Sequence, residues 1–240
     1  MDLNAVLLAG VGIGAATWIG SLLGCGLDRV EGGSYGLITA AAAGIMLCAA
    51  VQGLVLPALE ESAALWVCAG IAAGAVLLYW MNGAVTKRIP SDPQRVHGLM
   101  FVFAIGIHHF PEGLAAGVSF GLGESADTAA VCIAIALQNI PEAMMIMPAM
   151  AAFGRKKAAL AAMISGAVEI AGLAAGYVAV LLTVRLLPIL LALAAGAMLY
   201  VIFDNMLPDA YENGRGRTAA GVLTGYCGLL LLTELVERML

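Results

Sequence analysis

The stretch SYGLITAAAAGIMLCAAVQGLVLPAL, residues 34–59, carries no charged side chain. A helix needs roughly 20 mostly apolar residues to cross the hydrocarbon core of a bilayer, so a run of this length predicts a membrane-spanning helix. Two further uncharged runs, residues 5–23 and 62–86, lie directly before and after it. Three consecutive runs of this kind predict that this part of the chain is embedded in lipid.

The composition of the whole chain extends this prediction to the remainder. Hydrophobic residues make up 62% of the sequence and charged residues only 11%, whereas soluble domains average roughly 45–50% apolar and about 25% charged residues. A soluble fold of 240 residues could not bury this much apolar surface. The net charge of −5 provides no basic surface, which argues against a nucleic-acid partner.

Five more apolar runs follow, at residues 97–123, 128–154, 158–184, 186–207 and 218–239. The sequence therefore predicts an all-α integral membrane protein of eight transmembrane helices, called spans 1 to 8 in chain order, that form a single membrane domain over residues 1–240. Residues 1–4 contain no basic residue ahead of span 1. We therefore expect span 1 to be a retained helix and not a cleaved signal peptide.

The distribution of Lys and Arg predicts the orientation of these spans. Cytoplasmic loops of membrane proteins carry an excess of basic residues. The loops after spans 1, 3, 5 and 7 hold nine basic residues, against two (Arg185 and Arg238) on the opposite side: Arg29, Lys87, Arg88, Arg95, Arg155, Lys156, Lys157, Arg215 and Arg217. Both termini are therefore expected outside the cytoplasm. Glu60, Glu61, Glu124 and Asp127 would then face outward, either as an acidic entrance or as ordinary solvated loop charges.

Spans 2 and 7 share a sequence pattern. Residues 42–47 read AAGIML ahead of Pro57, and residues 194–199 read AAGAML ahead of Pro208. The two spans run in opposite directions in the predicted topology, so helices 1–3 and 6–8 are predicted to form an inverted repeat, a common plan of secondary transporters. Chance similarity between Ala- and Gly-rich stretches remains the alternative.

A second pattern repeats in the middle of spans 4 and 5. Residues 108–112 read HHFPE and residues 138–142 read QNIPE, so each motif is polar-polar-apolar-Pro-Glu. An ionisable residue at membrane depth costs at least ~2.5–3.5 kcal/mol on insertion scales. The matched glutamates Glu112 and Glu142 are therefore expected either to be protonated or to hold a cation.

The spacing within the motifs favours a cation. Residues four apart share a helix face, so His108 lies beside Glu112, and Gln138 lies beside Glu142; His109 and Asn139 neighbour these pairs. Neutral imidazole combined with carboxylate suits zinc, iron and related divalent metals, whereas magnesium and calcium prefer oxygen ligands alone. The paired motifs therefore predict a transition-metal site.

Four further residues within the spans also bear on function. Pro111 and Pro141 lack the N–H that would bond the carbonyls of Ile107 and Leu137, which leaves those carbonyls free to face a cavity or a hydrated ion. Glu169 lies in the middle of span 6 and is predicted to be functional. Asp204, near the end of span 7, is either an exit-site carboxylate or an interfacial residue.

The two motifs resemble those of a known family. The run HHFPEGLAAGVSFG, residues 108–121, is similar to the helix 4 signature of the ZIP (Zrt-, Irt-like protein) family of metal transporters, and ALQNIPE, residues 136–142, is similar to helix 5 of its bacterial branch. The resemblance implies eight helices in a 3+2+3 arrangement. It also implies a binuclear metal centre, whose first site uses His108, Glu112, Gln138, Glu142 and Met46, and whose second uses His109, Asn139 and Glu169 with both motif glutamates bridging.

The same resemblance implies a function. Members of the family move zinc, iron, manganese or cadmium toward the cytoplasm as substrate, without a catalytic cofactor, by sliding helices 1, 4, 5 and 6 against helices 2, 3, 7 and 8. A bacterial inner-membrane location and a homodimer are further expectations. Two positions depart from the family pattern: position 109 is commonly Asn and is His here, and position 139 is often acidic and is Asn here.

Enzymatic and ATP-driven alternatives lack their motifs. The metalloprotease pattern H-E-x-x-H and the phosphate-binding pattern G-x-x-x-x-G-K-[ST] are both absent from the sequence, so we expect a protein that is not an enzyme. A metal-selective channel or a metal-sensing membrane protein remains open, because a pore and a carrier can use the same ligands.

Overall fold

The computed structural model describes residues 3–26, 33–88, 92–122, 125–178, 180–212 and 214–239. Within these residues, eight helices are long and apolar enough to cross a membrane, which confirms the predicted fold class. Arg29 and Glu124 lie outside the described residues, as does the side chain of Asp127. The helices are α1 Leu3–Gly24, α2 Gly33–Ala49, α3 Ala64–Arg88, α4 Pro93–Leu122, α5 Ser125–Met144, α6 Arg155–Val178, α7 Val180–Val201 and α8 Arg215–Met239.

Three of these helices continue through irregular turns. After α2, a π-helical turn Ala50–Val55 leads into the helical segment Leu56–Glu61. After α7, a π-helical turn Ile202–Met206 leads into Leu207–Tyr211. Beyond α5, the chain crosses the remaining depth of the membrane in two short turns, Ile146–Ala149 and Ala151–Phe153.

The boundary between α6 and α7 differs from the predicted one. The sequence predicts a break at Arg185, where the only charge between spans 6 and 7 lies. In the structure residues 155–178 (α6) and 180–201 (α7) are helical, residue 179 lies outside the described residues, and Arg185 lies inside α7. A long basic side chain can extend to the interface from inside a helix, so its charge does not mark the helix end.

The helices pack in two groups. The first group comprises α1, α4, α5 and α6, and the second comprises α2, α3, α7 and α8. Glycines bring the helices of each group into backbone contact: a Cβ on Gly113 would lie 2.1 Å from the carbonyl oxygen of Glu169, and one on Gly44 would lie 2.0 Å from that of Val222. Such small-residue contacts allow close packing of helices in lipid, where apolar side chains alone provide little drive for association.

These close contacts respect the division into groups. Among the described residues, every glycine on which a Cβ would come within 3.0 Å of another helix faces a helix of its own group or the turn that follows α5. They are Gly14, Gly20, Gly24, Gly98, Gly113, Gly117, Gly166, Gly172 and Gly176 in the first group, and Gly44, Gly70, Gly74, Gly196, Gly221 and Gly225 in the second. The groups meet mainly where α4 packs against α7.

The inverted repeat is visible in equivalent contacts. Pro57 and Pro208 each lie in the first turn of a helical segment that directly follows a π-helical turn. A Cβ on Gly20 of α1 would lie 2.3 Å from the carbonyl oxygen of Ile140, and one on Gly172 of α6 would lie 2.4 Å from that of Phe110. Ile140 and Phe110 occupy the same place in their motifs, directly before the proline. α1 therefore packs on α5 as α6 packs on α4.

Candidate metal centre

The predicted site residues are all buried. His108, His109, Asn139, Glu142 and Met46 are 0% exposed, and Glu169, Glu112 and Gln138 are at most 6% exposed. The two motifs lie near the middle of the membrane spans 93–121 and 131–149. The packing of α4 and α5 thus places carboxylates, imidazoles and amides together at membrane depth, where polar groups require partners.

The two motifs pair reciprocally across α4 and α5. His108 Nε2 lies 2.8 Å from Glu142 Oε2, and Gln138 Nε2 donates to Glu112 Oε1 at 2.6 Å. His108 Nδ1 donates to the carbonyl oxygen of Ala104 at 3.1 Å. Metal-binding histidines commonly donate one ring N–H to a carbonyl in this way, which leaves the other nitrogen for the metal.

Helices α6 and α1 complete the cluster. Glu169 accepts hydrogen bonds from Asn139 Nδ2 at 2.6 Å and from Thr17 Oγ1 at 3.1 Å. Ser165 Oγ lies 2.8 Å from His109 Nδ1. Thr17 and Ser165 were not among the residues predicted from the sequence. Ser165 could have been found, because it lies one helical turn before Glu169 on the same face of α6.

Four polar atoms of the cluster have no hydrogen-bond partner. They are His109 Nε2, Glu112 Oε2, Asn139 Oδ1 and Glu142 Oε1, all buried. Leaving a buried polar group without a partner costs about 1–3 kcal/mol. Ligand atoms of His108, His109 and Glu112 lie within 4.8 Å of one another. Bound divalent cations would supply partners for these nitrogen and oxygen atoms, and imidazole combined with carboxylate is a donor set that fits a transition metal.

The structure gives less direct evidence for Met46 as a member of the cluster. Met46 is fully buried in α2, and the π-helical turn that follows α2 approaches the cluster at Gly53, where a Cβ would lie 3.7 Å from Gln138 Oε1. The role of Met46 as a ligand therefore stays a prediction.

A cavity connects the cluster to one end of the protein. It has a volume of about 340 Å³, is lined by Glu112 and Gln138 at its deep end, and reaches Glu60 and Glu61. The two surface glutamates belong to the segment Leu56–Glu61 that follows α2. An acidic cavity of this shape attracts cations toward the buried centre.

A second cavity opens at the opposite end. It has a volume of about 410 Å³, contains no motif residue, and is lined by His97, Asn205, Asp209 and Glu212. His97 Nδ1 lies 3.8 Å from Asp209 Oδ1, so protonated His97 would form an ion pair between α4 and the segment after α7. Asp204 does not line this cavity; it accepts a hydrogen bond from Asn82 of α3 at 3.1 Å.

Comparison with known proteins agrees with this arrangement. The sequence pattern of the family described as "ZIP Zinc transporter" matches residues 86–235, which include both motifs. Zinc transporter GufA of Myxococcus xanthus is 35% identical over 198 residues, covering 75% of this chain and 78% of the relative. Zinc transporter ZIPB of Bordetella bronchiseptica is 31% identical over 250 residues, covering 94% and 79%.

A third relative is matched over nearly its full length. Zinc transporter ZupT of Chlorobium luteolum is 30% identical over 265 residues, covering 97% of this chain and 99% of the relative. All three relatives are named as transporters and none as an enzyme. The buried His and Glu cluster, the eight membrane helices and these matches lead to one conclusion: this multi-pass membrane protein belongs to the ZIP family of zinc transporters.

Proposed function

We propose that this protein carries a divalent transition metal, zinc foremost and also iron, manganese and cadmium, across the membrane toward the cytoplasm through a centre formed by α4 and α5. One observation supports the proposal most strongly: the reciprocal pairs His108–Glu142 and Gln138–Glu112 are buried at membrane depth beside unpartnered ligand atoms. Burying ionisable side chains at membrane depth costs free energy, and membrane proteins retain such clusters where they form a pathway for cations.

The centre binds two ions in this proposal. His108, Glu112, Gln138, Glu142 and Met46 hold the first; His109, Asn139 and Glu169 hold the second. Each motif glutamate has one oxygen bonded to a first-site partner and one oxygen without a partner. That division supports bridging carboxylates, because the unpartnered oxygen of each can reach a second ion.

Transport proceeds by sliding of the first helix group, which holds both motifs, against the second. The glycine contacts support this division, since close backbone contacts tie the helices within each group and none of those described ties one group to the other. A rigid body that moves past another requires firm internal packing and a smoother boundary. Alternating access of a carrier follows from that movement, whereas a channel or a sensor would not need it.

The orientation follows from charge. The cavity that ends at Glu60 and Glu61 faces outward, and the cavity that contains His97 and Asp209 faces the cytoplasm. The prediction places a set of basic residues on the cytoplasmic side. Those of them that the structure describes lie on α3, α4, α6 and α8. We propose a bacterial inner-membrane location with both termini outside, the whole chain acting as one transmembrane domain, and a homodimeric assembly.

Substrate choice provides a test of the function. Zinc uptake into proteoliposomes should saturate with zinc concentration, should be inhibited strongly by cadmium, and should be inhibited weakly by magnesium even in large excess, because imidazole ligands favour the softer ions. Protein-free liposomes are the control. Non-saturating uptake would indicate a channel, and equal inhibition by magnesium would mean that the histidines are not ligands.

Topology can be measured separately. In a variant without the five native cysteines, single cysteines at Thr86 and Lys156 should react with a membrane-impermeant maleimide only from the cytoplasmic side. A cysteine at Ser125 should react only from outside. Thr86 lies near the end of α3 and Lys156 near the start of α6, which the predicted topology puts on the cytoplasmic side. Ser125 lies at the start of α5, which it puts on the outer side. The reverse labelling pattern would contradict the orientation inferred from basic residues.

A further inference from the structure

Two buried side chains with hydroxyl groups, Thr17 and Ser165, contact the cluster. Thr17 is 0% exposed and Ser165 is 3% exposed. We propose that Ser165 and Thr17 are positioning residues for the second ion: Ser165 orients His109 so that its Nε2 becomes a metal ligand, and Thr17 holds the Glu169 carboxylate against the site. The inference rests on the proposed function, because it concerns the affinity of the same centre for its substrate.

The contact of Ser165 with His109 decides which ring nitrogen faces the ion. Ser165 Oγ lies within hydrogen-bonding distance of His109 Nδ1, at 2.8 Å, whereas His109 Nε2 is buried and has no hydrogen-bond partner. A hydroxyl can accept the Nδ1–H bond, and the neutral ring then presents an unprotonated Nε2. The ring is held edge-on to His108, with their centroids 4.6 Å apart. His109 is therefore oriented as a second imidazole ligand, and Ser165 is the partner that fixes its tautomer.

The contact of Thr17 with Glu169 fixes a carboxylate from two sides. Thr17 Oγ1 donates to Oε2 at 3.1 Å and Asn139 Nδ2 donates to Oε1 at 2.6 Å. Each carboxylate oxygen keeps lone-pair capacity for a cation. Because Asn139 gives its amino group to Glu169, its unpartnered Oδ1 is available to the same ion. Thr17 thus limits the movement of a carboxylate that would otherwise lose side-chain entropy on binding.

The repeat places Thr17 where α6 has Glu169. Thr17 precedes Gly20 by the same three positions by which Glu169 precedes Gly172, and Gly20 and Gly172 make equivalent contacts with the two motifs. The two repeat-related side chains bond each other directly. One half of the repeat therefore supplies the ligand and the other supplies its hydroxyl support.

Hydroxyls in helices usually bond their own backbone. Thr224, Thr233 and Ser21 each donate to a carbonyl four residues earlier in the same helix, the ordinary way in which such residues are satisfied. Thr17 and Ser165 instead bond side chains of other helices, and both of those side chains belong to the cluster. A purely structural role would not require that choice of partner.

Zinc binding to the purified protein tests the inference. Equilibrium dialysis should find two zinc ions per wild-type chain. Ser165→Ala and Thr17→Val should each lower the affinity for the second ion by about 10–100-fold, the usual effect of losing a group that orients a metal ligand. The affinity for the first ion should stay within about twofold of wild type. Ser165→Thr and Thr17→Ser, which keep the hydroxyl, should retain both affinities. Thr218→Val is the matched control, because Thr218 is buried but bonds only backbone carbonyls.

Four results would overturn the inference. Unchanged affinity for the second ion in Ser165→Ala and Thr17→Val would mean that the hydroxyls do not position ligands. Equal losses in Ser165→Ala and Ser165→Thr would mean that packing, and not the hydroxyl, matters at this position. Equal weakening of both ions would indicate general disruption of the fold. A wild-type chain that bound no zinc at all would contradict the proposed function as well.

Discussion

Replacing Glu112 or Glu142 with alanine is expected to reduce zinc uptake to the level of protein-free liposomes. Each glutamate has one oxygen bonded to a first-site partner, His108 or Gln138, and one oxygen available to a second ion, so each replacement removes a ligand from both ions. Loss of an outer-shell group alone typically costs 10–100-fold in metal affinity, and loss of a bridging ligand should cost more. Uptake is measured in proteoliposomes at equal protein content.

Two comparisons make this prediction specific. Glu112→Gln and Glu142→Gln keep the size of the side chain and one acceptor oxygen while removing its charge, and they should also be inactive. Glu234→Ala, at the exposed end of α8, removes a carboxylate far along the chain from both motifs and should transport like wild type. Wild-type uptake in either alanine variant would mean that the α4 and α5 glutamates are not on the zinc pathway.

Cross-linking α4 to the segment after α7 is expected to stop transport completely. His97 and Asp209 approach within 3.8 Å across the boundary between the helix groups. In a background without native cysteines, His97→Cys with Asp209→Cys and a short bifunctional thiol reagent would tie the groups together. Uptake should fall to background after cross-linking and return after reduction, because a sliding mechanism needs free movement at this boundary.

A matched cross-link within one group separates movement from side effects of the reagent. Asn82 of α3 and Asp204, in the turn that follows α7, are 3.1 Å apart, and both belong to the second group. Asn82→Cys with Asp204→Cys, treated in the same way, should keep most of its uptake. Full activity of the cross-linked pair at positions 97 and 209 would contradict sliding of the two groups and would favour a pore with fixed walls.

Much of the fold could be predicted because lipid imposes simple rules on sequence. Apolar runs such as residues 34–59 must be helical, since no other local structure satisfies the backbone in hydrocarbon. The motifs HHFPE and QNIPE could be recognised because buried ionisable residues are rare in membrane helices. The predicted break at Arg185 was wrong, because the prediction took its charge as a boundary and α7 includes this residue.

The partners within the cluster could not be predicted from spacing. The spacing places His108 beside Glu112 on one helix, but the hydrogen bond of His108 is to Glu142 on the neighbouring helix. Which residues of two antiparallel helices meet depends on their axial register, and the spacing of residues within one helix does not specify that register. Thr17 and Ser165 were missed for a related reason, since a helix hydroxyl ordinarily bonds its own backbone.

The position of zinc in crystals of the loaded protein tests the central claim most directly. Anomalous diffraction at the zinc absorption edge should show two ions between α4, α5 and α6, about 3.5–4 Å apart as expected for carboxylate-bridged pairs. His108 and His109 nitrogens should lie about 2.0–2.1 Å from the ions, and Glu112, Glu142 and Glu169 oxygens about 2.0–2.2 Å from them. Zinc bound only elsewhere, with no peak within reach of Glu112 and Glu142, would contradict the account.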